Sequence, residues 1–281
     1  MFLLTSYGLD SALAQILYYH HTHEQSFFTC SRKRIEEAIN MYHPTHILGF
    51  GIDLSYLTDA YLIDREKNVS ATSNLGKLLN VDKMLFKYAS LANTVIDPDP
   101  NTVSLVDDIY NYYDAVGHEQ FVNKFISTDS MSLTKTELAL GKLYAVEHQK
   151  LAKDYIDQFC YYKNDIAVCK SNFKLSRYIE EMLIDEYAES GLKFIVTYNL
   201  NYTGKDIICN IKSKKDMIQS FMEAVPEENE TDEYDNAIKV TVDDFVNIEE
   251  QIYDVVSNIC DTACDLEKKK AYDRYDAMIH T

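Results

Sequence analysis

The side chains able to do chemistry in this chain fall into a few short clusters, and spacing limits most of them. His20-His21-Thr22-His23 sets three imidazoles within four residues. Neighbouring side chains on a helix point in different directions, so these three cannot face one ion. The run reads as the polar carboxyl end of a helix, where histidines complement exposed carbonyls. Asp97-Pro98-Asp99-Pro100-Asn101 places oxygens at positions one, three and five of a calcium loop, with Asp108 at twelve. Thr102 stands at the sixth position, where that turn needs glycine, and prolines fill the second and fourth. Six cysteines (30, 160, 169, 209, 260 and 264) form no Cys-x-x-Cys pair. Cys260 and Cys264 share a helix face, but two ligands are too few for structural zinc. Reduced, mostly buried thiols are expected. Neither a Gly-x-Ser-x-Gly elbow nor a Walker-type loop occurs.

Charge narrows the partners. The formal net charge is −18, and the basic clusters Arg32-Lys33-Arg34 and Lys212 to Lys215 are short and far apart. Nucleic-acid affinity rests largely on neutralising phosphates with Lys and Arg. Duplex nucleic acid is therefore not expected as a partner, whereas a small nucleotide or another protein is. No apolar run reaches membrane-spanning length, and the N-terminal segment has neither the length nor the basic flank of a signal peptide. A cytoplasmic, reducing compartment and no membrane association are expected. With 46% apolar residues and 22 tyrosines, the chain can bury a substantial core whose margin tolerates water at the tyrosine hydroxyls.

Elements to position these groups follow from the hydropathy pattern. Short apolar runs at 2–5, 27–30, 46–51 and 61–64 read as strands, and helical patterns cover 9–19, 32–42 and 53–60. Strands alternating with helices require crossovers, hence one largely parallel sheet. Ligands bind at the carboxyl ends of such strands, which points to Ser6 to Asp10, Gly51 to Asp53 and Asp64 to Glu66. Residues 82–160 read as helical, with 151–159 connecting two lobes. A helix at 175–190, stopped by Gly191, leads to strands at 192–198 and 207–211 around the turn Tyr202 to Asp206. Residues 226–236 hold six carboxylates and almost nothing apolar, so an exposed linker is expected. A strand at 237–242 and a helix at 243–277 follow, with an apolar stripe through Phe245, Ile248, Ile252, Val255, Val256 and Ile259. The predicted class is α/β: a mainly parallel sheet flanked by helices, a second smaller α/β lobe and a C-terminal strand-helix extension. The boundaries are 1–155, 160–225, 226–236 and 237–281.

In this order of elements, the chain resembles the DHH phosphoesterase family, which includes RecJ-type exonucleases and nanoRNases. The resemblance spans about residues 1–215 and rests on element order plus partial motifs. Leu4-Thr5-Ser6-Tyr7-Gly8-Leu9-Asp10-Ser11-Ala12 is similar to the family's first motif. Ser6 and Gly8 stand where ligating carboxylates are expected, and Asp10 is kept. Gly51 replaces the aspartate that ends the third strand, with Asp53 close behind. Asp64-Arg65-Glu66 stands in place of the Asp-His-His signature. Leu105-Val106-Asp107-Asp108 matches a further aspartate motif, and Lys212-Ser213 echoes an Arg-Ser pair in the smaller lobe. The glycine-rich substrate loop of that lobe has no counterpart.

The family binds two manganese ions that clamp the attacking and leaving oxygens of a phosphodiester. Here the resemblance leaves Asp10, Asp64 and Asp108 as the residual catalytic and metal-ligating acids. It implies ligand binding by Ser6, Asp10, Asp53, Asp64, Arg65, Lys212 and Ser213. Three carboxylates fall short of two bridged ions. Arg65 would compete with a divalent cation, or bind a phosphate in its place. The expected function is a non-catalytic binding or interaction protein for a nucleotide, a phosphate or a protein partner, with no cofactor. The alternative is an active manganese- or magnesium-dependent phosphodiesterase acting on small oligonucleotides or cyclic dinucleotides.

Overall fold

The computed structural model describes residues 3–24, 26–28, 34–50, 54–55, 57–66, 69–96, 103–128, 130–172, 175–199, 205–213, 215–232, 236–243 and 245–279. Gly51, Asp53, the 97–102 loop, Cys30, Arg32, Lys33, Lys214 and the turn residues 202–204 lie outside the described residues. The chain divides into two compact units, Met1–Val146 and Glu147–Thr281.

In the first unit, strands and helices alternate as β1 (Leu3–Thr5), α1 (Leu9–Thr22), β2 (Ser26–Phe28), α2 (Ile35–Tyr42), β3 (His46–Leu48) and β4 (Tyr61–Ile63). The strand order is β2-β1-β3-β4. Every neighbouring pair is parallel, with Leu3 opposite both Ser26 and His46, and His46 opposite Tyr61. Side chains on a strand alternate between faces, and both faces of β1 and β3 are buried. Leu3, Leu48 and Ile63 pack with α1, whereas Leu4 and Ile47 pack with Ile35 and Ile39 of α2. α1 is consequently apolar on most sides, burying Leu9, Ala12, Leu13, Ile16 and Leu17. Its one buried amide, Gln15, donates to Thr5 Oγ1 at 2.7 Å.

Four further helices complete this unit: α3 (Ala71–Leu78), α4 (Phe86–Ile96), α5 (Val103–Val116) and α6 (His118–Ile126). α7 (Lys135–Phe159) carries the chain across the division at Val146. The helix expected at 53–60 is absent among the described residues. Only Leu54 there is buried in the core, and Thr58 Oγ1 accepts from the Ala60 N–H at 3.2 Å, a local bond that competes with a helix.

The second unit holds β5 (Cys160–Lys163), β6 (Ile166–Lys170), α8 (Ser176–Ser190), β7 (Phe194–Asn199), β8 (Asp206–Lys212), α9 (Lys215–Ala224), β9 (Glu230–Asp232), β10 (Ala237–Thr241) and α10 (Ile248–Ile279). They build a six-stranded sheet ordered β5-β6-β7-β8-β10-β9, in which β6 and β7 alone are parallel.

One expectation changes in part: within the acidic 226–236 stretch, expected as an exposed linker, residues 230–232 form the edge strand β9 on β10. Asn229 reinforces that pairing, its carbonyl accepting from Lys239 N–H at 2.6 Å and its side chain donating to Lys239 O at 2.7 Å. An edge strand gains its pairing from the backbone, whatever its side chains. Residues 237–281 supply the expected C-terminal strand and helix, β10 and α10. β10 sits inside the sheet, and Ile252, Val256 and Ile259 of α10 share its core. α10 starts five residues later than expected, because Asn247 takes φ 50°, a left-handed geometry that a right-handed helix cannot include. Phe245 therefore precedes the helix and is exposed. Among the described residues no helix is long and apolar enough to cross a membrane.

Candidate functional site

The carboxyl ends of β1, β3 and β4 are tied together by backbone bonds. Ser6 N–H donates to Leu48 O at 3.0 Å, and Gly49 N–H donates to Ile63 O at 2.9 Å. Ser6 and Ser11 share a hydroxyl hydrogen bond of 2.9 Å. Gly49, at φ 79°, closes over them: a Cβ there would stand 2.7 Å from Ser6 Oγ and 3.2 Å from Ser11 Oγ. Ser6 is thus held by its own neighbours in the place where the family resemblance puts a ligating carboxylate.

Asp10 has a defined task. Its carboxylate accepts from the backbone N–H groups of Ala71 (3.0 Å) and Thr72 (3.1 Å) and from the Thr72 hydroxyl (2.5 Å). These are the first residues of α3, whose N-terminal N–H groups lack intrahelical acceptors. Ser70, the N-cap itself, accepts from Ser73 N–H at 3.0 Å. Asp10 therefore completes the cap of α3 from the start of α1, with a charge suited to a helix N-terminus. Burial raises its pKa, while the bonds from Thr72 and Ala71 and the nearby Arg65 charge pull the other way; the net shift is upward.

The remaining predicted residues are distributed unevenly. Asp64 and Arg65 follow β4, and Arg65 is exposed yet near enough to influence Asp10. The Asp64 carbonyl accepts from Asn74 of α3 at 3.0 Å. Asp108 lies on α5, and its carboxylate is 3.7 Å from Lys142 Nζ. No three His, Cys, Asp or Glu side chains among the described residues converge to hold a metal ion. With Asp10 oriented on α3, and Ser6 and Gly8 offering no carboxylate, this donor set does not fit a pair of divalent ions. The His20-His21-His23 run is structural too. His20 Nε2 bonds the Phe125 carbonyl at 2.9 Å and its ring stacks on Tyr88, while His23 takes the left-handed C-cap of α1.

In the second unit, Lys212 and Ser213 line a cavity of about 290 Å³ with Ile184, Ile195, Ile211, Ile218 and Asn236. Lys212 Nζ is paired with Glu180 of α8, and Ser213 Oγ donates to Lys193 O at 2.7 Å. Apolar walls with a few polar groups are the usual make-up of a small-molecule site, and this volume lies near the lower end of their range.

One group went unread in the sequence. Tyr7, beside Ser6, lies among Phe28, Tyr113 and His118, with ring centroids 5.4–6.3 Å from its own. Tyr113 Oη and His118 Nδ1 are 3.1 Å apart, and His118 Nε2 is buried without a partner among the described residues. Burial lowers the His118 pKa to about 4. These residues come from the turn after β1 and from β2, α5 and α6, and no local motif announces them.

No protein-family model matches the sequence, and no curated protein matches it. Solved structures do. The pGpG-specific phosphodiesterase PggH from Vibrio cholerae aligns with TM-score 0.54 and 7% identity, over 92% of this chain and 98% of that one. An exopolyphosphatase-related protein from Bacteroides fragilis aligns with TM-score 0.47 and 10% identity, over 95% and 93% of the two chains. CDC45 from Entamoeba histolytica aligns with TM-score 0.46 and 8% identity, over 92% and 95%. The first likeness is one of fold alone.

Proposed function

We propose that this chain is a non-catalytic binding protein built on a DHH-phosphoesterase-like fold, holding a small nucleotide or phosphate rather than hydrolysing it. The observation that carries the reading is the engagement of Asp10. The one acid kept from the first motif spends both oxygens on the N-terminus of α3. In a two-metal hydrolase that position must face the ions. Ser6, Gly8, Arg65 and Glu66 at neighbouring positions support the same conclusion, and no metal cofactor is required.

Lys212 and Ser213 on an apolar-walled cavity support retained recognition. An ammonium, a hydroxyl and the Asn236 amide suit an anionic group, while the four isoleucines suit a flat apolar moiety such as a base. The −18 net charge favours a small ligand or a basic protein partner over duplex nucleic acid.

The likeness to PggH favours a second reading, an active phosphodiesterase, and one experiment separates the two. The protein is incubated with short oligonucleotides, pGpG and cyclic dinucleotides in millimolar manganese, and binding of the same ligands is measured by calorimetry. Binding without turnover supports the proposal. Turnover that disappears in the Asp10→Asn, Asp64→Asn double variant sinks it.

A further inference from the structure

We propose that Cys160 and Cys169 form a reversible dithiol–disulfide site, oxidised by a low-molecular-weight disulfide, that staples the carboxyl end of α7 to the sheet of the second unit. The argument begins with register. β5 and β6 are antiparallel, and Cys160 lies directly opposite Cys169. The strands are joined by the two-residue turn Asn164-Asp165, with Asn164 at φ 53°.

A two-residue turn is closed by a hydrogen-bonded pair, here Lys163 and Ile166. Pairs alternate along an antiparallel ladder. Tyr162 and Ala167 are then a non-hydrogen-bonded pair, Tyr161 and Val168 a hydrogen-bonded one, and Cys160 and Cys169 a non-hydrogen-bonded one again. Such partners have Cα atoms about 4.5 Å apart and side chains on the same face. That separation falls within the roughly 4.4–6.8 Å a disulfide spans, so the bond needs no backbone movement.

The thiols also differ in the way a two-step exchange requires. Cys160 is half-buried and Cys169 fully buried. The hydrogen bond that Cys169 donates to Cys160, then burial, and then the charges of Cys160 and Glu249 raise the Cys169 pKa strongly, so Cys169 is a poor first nucleophile. The Cys160 thiolate attacks the small disulfide R–S–S–R, forming a mixed disulfide and releasing one R–S⁻, which takes up the Cys160 proton. Cys169 then loses its proton as its sulfur attacks Cys160 Sγ, and the second R–S⁻ leaves as R–SH. The two protein thiols are oxidised by two electrons, and one small disulfide is reduced to two thiols.

The position gives the bond a consequence. Cys160 directly follows Phe159, the last residue of α7, and β5 is an edge strand with one neighbour. Linking it to β6 holds the end of α7 against an interior strand.

The test uses the full chain equilibrated in glutathione buffers of graded redox ratio, then acid-quenched, unfolded, alkylated and mapped by mass spectrometry. In oxidising buffer a 160–169 cross-linked peptide two hydrogens lighter than its reduced form is expected, with Cys209 still alkylated. Cys160→Ser and Cys169→Ser should each abolish the link. Because burial slows exchange in the folded protein, a parallel sample is refolded from urea in the same buffers. If both thiols are alkylated after both routes, or Cys160 is recovered only as its glutathione adduct, the proposal is overturned.

Discussion

The carboxylate of Asp10, on the first turn of α1, accepts the backbone N–H groups of both Ala71 and Thr72 at 3.0 and 3.1 Å. A residue that the family resemblance implies as a metal ligand thereby helps to cap a helix 61 residues on. Asp10→Ala should cost about 2 kcal/mol, since it strips two helix N–H groups and the Thr72 hydroxyl of their acceptor. Urea unfolding measures this. A loss below about 0.5 kcal/mol, the range of neutral surface substitutions, would remove the cap from the argument. In wild type, millimolar manganese should leave the melting temperature unchanged.

His118 should make the protein acid-sensitive. Burial holds its folded pKa at about 4, against about 6.5 for a free imidazole. The folded state therefore binds fewer protons than the unfolded one between these values. Its contribution is complete above pH about 6.5 and is lost as pH falls toward 4, by up to roughly 3 kcal/mol. Urea midpoints should drop across that window, and His118→Phe should flatten the profile. An NMR titration placing the His118 midpoint near 6.5 would contradict the burial.

Gly49→Ala should destabilise by about 1–3 kcal/mol. Two costs combine: a side chain at φ 79°, and a Cβ 2.7 Å from Ser6 Oγ. Adding Ser6→Ala removes the second and leaves the first, so the double variant should recover part of the loss. Full recovery would show that the backbone geometry carries no cost.

Glu180 competes with any anion for Lys212. If the cavity takes a nucleotide phosphate, Glu180→Gln should tighten binding about tenfold and Lys212→Ala should weaken it by a similar factor, as suits a charged hydrogen bond. Calorimetry with nucleoside monophosphates reads both. Equal affinities in all three proteins would place the phosphate elsewhere.

The sequence alone determined the class of fold, for a physical reason: periodicity is local. Leu3-Leu4, His46-Ile47-Leu48 and Tyr61-Leu62-Ile63 each announce a strand, and α1 and α2 make the crossovers that leave β1, β2 and β3 parallel, while β4 joins in parallel with no helix before it among the described residues. Lys212-Ser213 was singled out only through the resemblance to the family's Arg-Ser pair, and the cavity these residues line was not readable from the sequence. What Asp10 does was not legible, because its partners Ala71 and Thr72 lie far along the chain and carry no signal of their own. The same holds for Tyr7, Phe28, Tyr113 and His118, assembled from one turn and three elements, and for β9, whose residues pair through backbone groups that every sequence has. Side-chain type fixes which elements can form; only packing in three dimensions decides which polar groups are spent on holding them together and which are left for a ligand.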